Sequence, residues 1–323
     1  MHQQDIFAFL PLNVRKMITD TKLDYDKLQE IRLRYQKPLI FLVDNKELYF
    51  DVDGNRTYNI KNAYRITGQD IKEVLEFVSD YSIYAYEEEV RQGFLTIRGG
   101  HRVGLAGRVI CENEPAAGRF IKGMKFITHI NVRIAHEIKG CADLLLSWLF
   151  EKHQLCHTLL IGGPGCGKTT MLRDLIRQVS NGSSLNPSYT VGLVDERSEI
   201  AGCYQGVPQN DIGMRTDVLD CCPKADGMML LIRSMSPDVI AVDELGCDAD
   251  IRALETAINC GCKILATVHG MSLEEVNHKA AFEQLLKKQL FERYVVLHNK
   301  KRVGQVCAIY DKSGKCIFGE SKC

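Results

Sequence analysis

The feature that most constrains this chain is the stretch Gly162-Gly163-Pro164-Gly165-Cys166-Gly167-Lys168-Thr169, followed by Thr170. It has the form G-x-x-x-x-G-K-T, the phosphate-binding loop of nucleotide hydrolases. Such a loop needs a buried strand before it and a helix after it, and both are written in its flanks. Cys156 to Ile161 is a short apolar run of strand type, while Thr170 to Val179 sets Leu172, Leu175, Ile176 and Val179 on one helical face. Glycines let backbone N–H groups turn towards phosphate oxygens, and the helix N-terminus adds the positive end of its dipole. Lys168 is expected to reach the β- and γ-phosphates and the Thr169 hydroxyl to ligate Mg²⁺, so the loop implies ATP and Mg²⁺. The plain alternative is a glycine-rich turn before a helix, which gives the Lys-Thr pair no task.

A chain of 323 residues is too long for a typical single core, so two domains are expected. With 45% hydrophobic and 25% charged residues it has an ordinary globular composition. Its 41 basic and 41 acidic residues cancel, whereas a protein living on nucleic acid usually carries a basic excess, so no nucleic-acid partner is expected. No apolar run of about 18 residues predicts a spanning helix. The start of the chain lacks the basic leader of a signal peptide, and Pro11 breaks its apolar piece. The 13 cysteines form no C-x-x-C pair and read as buried reduced thiols, which points to the cytoplasm.

Residues 1–140 read as an α+β domain. Pro11 to Thr19 and Asp24 to Gln29 are helix-like; Leu28 to Arg34, Pro38 to Val43 and Glu47 to Phe50 are strand-like. Gln69 to Val78 has helical spacing and runs into Tyr81 to Glu87. Gly93 to Ile97 and Val103 to Val109 bracket a hairpin turn, and Phe126 to Ala135 is a further strand candidate. Arg32, Arg34, Arg91, Arg98, Arg102, Arg108 and Arg133 lie on or beside these strands. Singly they read as solvated strand edges. As a group they could supply cations to a nucleotide.

Residues 141–323 alternate strand and helix, which implies a parallel sheet covered on both faces. Cys141 to His153 reads as an apolar helix carrying the sole tryptophan, and Gly202 to Pro223 as an irregular stretch. Tyr189 to Val194 is a strand ending in Asp195-Glu196. Val239 to Val242 is a buried strand ending in Asp243-Glu244, which places two carboxylates at the edge where open α/β sheets bind ligands. Asp243 is expected to hold Mg²⁺ opposite Thr169, and Glu244 to orient the attacking water. The alternative is a buried strand followed by an acidic helix cap. Cys262 to Val268 is another strand, leading to His269, with Thr267 on the same side by alternation. His269 at that edge can sense the γ-phosphate or serve structure alone.

The phosphate loop, Val194 to Ile200, Arg215 to Asp220, Ile232 to Glu244 and Ala266 to Gly270 closely resemble the stage III sporulation AA family of endospore formers, and the likeness extends through nearly the whole chain. More distantly the chain resembles type II, type IV and pilus-retraction secretion ATPases. That resemblance implies an α/β fold: a RecA-like P-loop ATPase domain behind a smaller N-terminal domain, assembled as a hexamer. Asp195-Glu196 is similar to their aspartate box, Thr267-x-His269 to their histidine box, and Arg233 with Pro237 to Ile240 to their arginine-containing helix. These matches imply that Asp195, Glu196 and His269 report nucleotide state, with Arg133 and Arg108 as candidate arginines towards it. The chain departs from the pattern at Asp243, where Gly is frequent, and at Leu245-Gly246, where an arginine is frequent. The resemblance further implies an ATPase on the mother-cell face of a membrane, docked to an integral subunit of the channel joining mother cell and forespore. The competing readings are a nucleic-acid-stimulated translocase and a nucleotide-gated assembly scaffold.

Overall fold

The computed structural model of the chain describes residues 3–19, 21, 23–82, 86–114, 118–279, 282, 288–298 and 304–319. The chain divides into two compact units, Met1–His136 and Glu137–Cys323.

In the first unit, helices α1 (Gln3–Phe9), α2 (Leu12–Thr19), α3 (Gly68–Val78) and α4 (Glu87–Gln92) accompany a seven-stranded sheet. Its strands are β1 (Leu28–Arg34), β2 (Ile40–Val43), β3 (Lys46–Phe50), β4 (Arg56–Thr57), β5 (Phe94–Ile97), β6 (His101–Glu114) and β7 (Gly118–Arg133), in the order β4-β3-β2-β1-β7-β6-β5. All pairings are antiparallel. The alternation read in residues 28–34 is real: Leu28, Ile31 and Leu33 are buried in the core with Phe41, Val103 and Val132. The helix expected over residues 24–29 is one 3₁₀ turn, Tyr25–Lys27, because Leu28 and Gln29 already belong to β1. Part of the run from Tyr81 to Glu87 lies outside the described residues. Among the arginines, Arg32 is neutralised by Glu30 at 2.7 Å and Arg102 sits over the Phe94 ring, 3.6 Å from its centroid. Arg133 and Arg108 are exposed.

The second unit holds α5 (Asp143–Leu146), β8 (Phe150–Glu151), β9 (Gln154–Leu155), β10 (Thr158–Gly162), α6 (Lys168–Asn181), β11 (Val191–Asp195), β12 (Thr216–Asp220), α7 (Lys224–Ser234), β13 (Val239–Val242), α8 (Asp248–Asn259), β14 (Lys263–His269), α9 (Leu273–Asn277), β15 (Arg293–His298), β16 (Gln305–Asp311) and β17 (Cys316–Gly319). Eight strands form one sheet in the order β12-β11-β13-β14-β10-β15-β16-β17, parallel as far as β15 and antiparallel beyond it. Strand alternation divides each apolar run between two cores. Leu160, Leu193, Ala241 and Leu265 pack with α6 on one face. Leu159, Ile161, Val194, Ile240, Val242 and Ala266 pack with α7 and α8 on the other. Both faces being covered, the strands read as continuous hydrophobic runs rather than as alternating ones.

Two expectations fail here. The apolar helix over residues 141–153 shrinks to the single turn of α5, and a β8–β9 hairpin follows. Lys152 and His153 both take positive φ (49° and 64°), which makes a tight two-residue turn that stops any helix. The irregular stretch from Gly202 to Pro223 contains β12, an edge strand with an acidic residue at Asp217 and another at Asp220. Its pairing with β11 overrides a poor local strand propensity. The thiol reading also needs correction. Among the described residues eleven cysteines are free, three of them exposed (Cys221, Cys247 and Cys260), but Cys307 is disulfide-bonded. Among the described residues, no helix is long and apolar enough to cross a membrane.

Candidate nucleotide site

The site is assembled at the C-terminal ends of β10, β13 and β14, which lie side by side in the sheet. β10 ends at Gly162, and the chain swings through Gly165 (φ 67°) and Gly167 (φ 93°) before α6 begins at Lys168. Only glycine holds these left-handed backbones without strain. Gly162 is close-packed as well: a Cβ there would meet the Cys166 Sγ at 2.3 Å. Cys166 is buried and Pro164 and Gly165 are exposed, so the loop presents backbone outward and its thiol inward. Lys168 Nζ donates to the carbonyls of Gly162 (2.7 Å) and Gly163 (3.0 Å), folding back over its own loop. The Gly304 N–H donates to the Cys166 carbonyl at 2.7 Å, bracing the loop from the C-terminal strands.

Thr169, the second residue of α6, donates its hydroxyl to Asp243 Oδ2 at 2.8 Å. Asp243 follows β13 directly. Its other oxygen accepts from the hydroxyl of Thr267, and Thr267 Oγ1 accepts from the Glu244 N–H at 2.8 Å. Thr267 is fully buried and holds the carboxylate by its second oxygen; in the sequence it stands out only as a neighbour of His269 on the strand. By donating its hydrogen to Asp243, Thr169 keeps its oxygen lone pairs for a hard cation. Both Asp243 oxygens are taken by hydroxyls, which suits a metal held through water. Among the described residues no three His, Cys, Asp or Glu side chains gather as an all-protein metal cage.

Glu244 sits at φ 49°, exposed at the rim, and its carboxylate accepts from Arg197 at 3.0 Å. His269 ends β14 half-buried, and its carbonyl accepts from Lys279. Asp195 is engaged elsewhere. At 1% exposure, its carboxylate accepts from the backbone N–H groups of Glu199 (2.9 Å), Ile200 (2.9 Å) and Ala201 (2.8 Å). Burial pushes its pKa up to about 6, while those amides pull the other way. Glu196 pairs with Lys224. Arg173, on α6, donates to the carbonyls of Glu199 and Ile200, both at 2.6 Å, so the helix of the phosphate loop grips the Asp195 loop directly. Sequence reasoning missed Arg173 and Arg197: each is one charge among many on a helix or a loop, without a spacing signal. Arg133 belongs to the first unit, at the exposed end of β7 across from Glu30 and Arg102.

This fold is the one found in secretion ATPases. The ATPase DotB of Legionella pneumophila superposes with a TM-score of 0.53, covering 84% of this chain and 72% of that one at 16% identity. The pilus retraction motor PilT, solved with bound ADP, gives 0.53 over 96% and 83% at 16% identity. At such identities the likeness is one of fold. The chain belongs to the family described as sporulation stage III, protein AA, whose model matches residues 1–317. Stage III sporulation protein AA of Bacillus subtilis (strain 168) is 40% identical over 314 residues, 97% of this chain and 96% of that protein.

Proposed function

We propose that this protein is a Mg²⁺-dependent ATPase of the secretion type that serves sporulation, energising or gating the channel complex between mother cell and forespore. The observation that carries the reading is the 2.8 Å link from Thr169, at the start of α6, to Asp243, at the end of β13. It joins the phosphate loop to an acidic strand end, the pairing that P-loop hydrolases use around their metal. Thr169 and Asp243 would hold Mg²⁺, which would supply positive charge against the β- and γ-phosphates. Lys168 leaves the Gly162 and Gly163 carbonyls for the phosphate oxygens. Glu244 leaves Arg197 and polarises the water that attacks the γ-phosphate. His269 reads the presence of that phosphate from the adjacent strand end. The protein works as a ring, in keeping with a hexamer, on the cytoplasmic face of the mother-cell membrane and docked to an integral subunit.

The test is ATP turnover and binding of the purified protein. Lys168→Ala is expected to abolish nucleotide binding. Glu244→Gln is expected to keep binding and to lose at least about a hundredfold in turnover, the usual contribution of a positioned base. Normal turnover in Glu244→Gln removes the role given to that residue; absence of any affinity for MgATP removes the function. Single-stranded DNA or RNA is expected to leave the rate unchanged, and strong stimulation would favour a translocase instead.

A further inference from the structure

The sheet of the first unit buries one of its faces in the core. Along β1, Ile31 and Leu33 are buried, and Glu30, Arg32 and Arg34 alternate with them. The same alternation buries Val103 and Val132 and leaves Arg102 of β6 and Arg133 of β7 on the opposite side. Register brings these positions together. Arg133 stands across from Glu30 on one neighbouring strand and from Arg102 on the other. Four arginines from three adjacent strands therefore share one face.

The charges on that face do not cancel. Glu30 accepts from Arg32 Nε at 2.7 Å and from Asn131 Nδ2 at 3.4 Å, and Glu47 lies 4.0 Å from the same arginine. Both carboxylates are thus engaged around Arg32. Arg34 is half-buried and Arg133 exposed, and neither has a partner among the described residues. Arg102 and Arg133 are direct cross-strand neighbours, and like charges so placed repel. Arg34 and Arg133 are separated by four residues of register, roughly 14 Å, so the excess charge runs along the strands instead of gathering round one point.

The other side chains select the kind of polyanion. Single-stranded nucleic acid needs open rings for its bases. Phe94, the ring beside these arginines, already lies under Arg102, 3.6 Å from its centroid. A lipid surface takes up exposed large apolar side chains, and none of those exposed among the described residues stands at these strand positions. Carboxylates suit the face better, because a guanidinium binds them through two parallel N–H bonds. An extended polypeptide with acidic residues at every second position turns them all to one side, at the spacing of Arg32 and Arg34.

We propose that this face docks an extended acidic segment of a partner protein, with Arg34, Arg102 and Arg133 taking its carboxylates. The surface belongs to the first unit alone, so its failure is separate from failure of the ATPase reading. The experiment follows fluorescence anisotropy of a labelled peptide of alternating Glu and Ser, added to the full chain with and without MgATP. The same peptide with Gln in place of Glu is the reference.

The Glu peptide is expected to bind and the Gln peptide not to. Affinity falls at least about threefold from low to physiological salt. Arg34→Gln and Arg133→Gln each weaken binding about threefold, the order of one exposed charge pair, and together they multiply. Arg56→Gln, on β4 of the same sheet, changes nothing, and wild-type melting temperatures certify each fold. MgATP leaves the peptide bound. Displacement of the peptide by MgATP assigns these arginines to the nucleotide and overturns the proposal. So does absence of peptide binding, or binding that ignores both substitutions. An oligothymidylate of equal charge bound as tightly as the Glu peptide overturns it in favour of nucleic acid, and attachment to phosphatidylglycerol vesicles that the two substitutions abolish overturns it in favour of lipid. ATP turnover of the wild type tests the ATPase reading separately.

Discussion

His157 shows how one side chain sets a pH limit. It lies at the start of β10, with its backbone N–H on Glu292 at 2.8 Å and with Lys263 bonded to that carboxylate at 3.1 Å. Burial, and then the Lys263 charge, lower its pKa to about 4, against the pull of Glu292. Nδ1 is buried without a partner, so an added proton there has no acceptor. The folded protein thus binds fewer protons at this site than the unfolded chain, whose histidine titrates near 6.5. The stability it contributes is present above 6.5 and lost as pH falls towards 4. Asp195 acts in the opposite sense, since its raised pKa makes the folded state bind the extra proton between about 4 and 6. The two slopes offset in the wild type, so the residue's own effect is read by difference. His157→Gln is expected to melt with a smaller loss between pH 6.5 and 4.5 than the wild type, measured by thermal scans across that range.

At the scale of elements, the Asp195 loop is the piece that connects the phosphate loop to the rim where Glu244 sits. Asp195 accepts from the N–H groups of residues 199–201, Arg173 of α6 donates to the carbonyls of Glu199 and Ile200, and Arg197 reaches Glu244. Asp195→Ala leaves the buried amides of Ile200 and Ala201 without their carboxylate and is expected to lower stability by about 2 kcal/mol, read from urea midpoints at unchanged m. Arg197→Ala touches only an exposed pair, with side chains 62% and 49% exposed. Stability should therefore change by less than about 0.5 kcal/mol, while freeing Glu244 raises turnover about twofold at the same KM.

Sequence legibility also follows the elements. Strands β10, β13 and β14 and helix α6 were readable because buried parallel strands and an amphipathic helix write dense apolar patterns. So were the residues at their ends, because the loop spacing is specific. The short α5, the β8–β9 turn and edge strand β12 were not, since their conformations come from positive-φ residues and from pairing partners remote in sequence. The clamp made by Asp195 was hidden for the same reason. An acidic pair after a strand looks alike whether it faces a ligand or its own backbone.

For the whole molecule, a ring predicts that assembly responds to nucleotide. A non-hydrolysable ATP analogue with Mg²⁺ is expected to shift the protein to a larger species in sedimentation, and Lys168→Ala is expected to stay in the small one. Turnover per chain should then rise with protein concentration; a rate independent of concentration, with no larger species, argues for a monomeric enzyme.

The order of manufacture bears on this too. β10 is flanked by β14 and by β15, with Thr158 set against Leu265 on one side and Arg293 on the other. During synthesis the ribosome therefore releases the phosphate-loop segment long before its neighbouring strands exist. A nascent polypeptide halted at residue 290 would carry every motif letter and β14 and still lack β15, the strand that closes β10 on its other side.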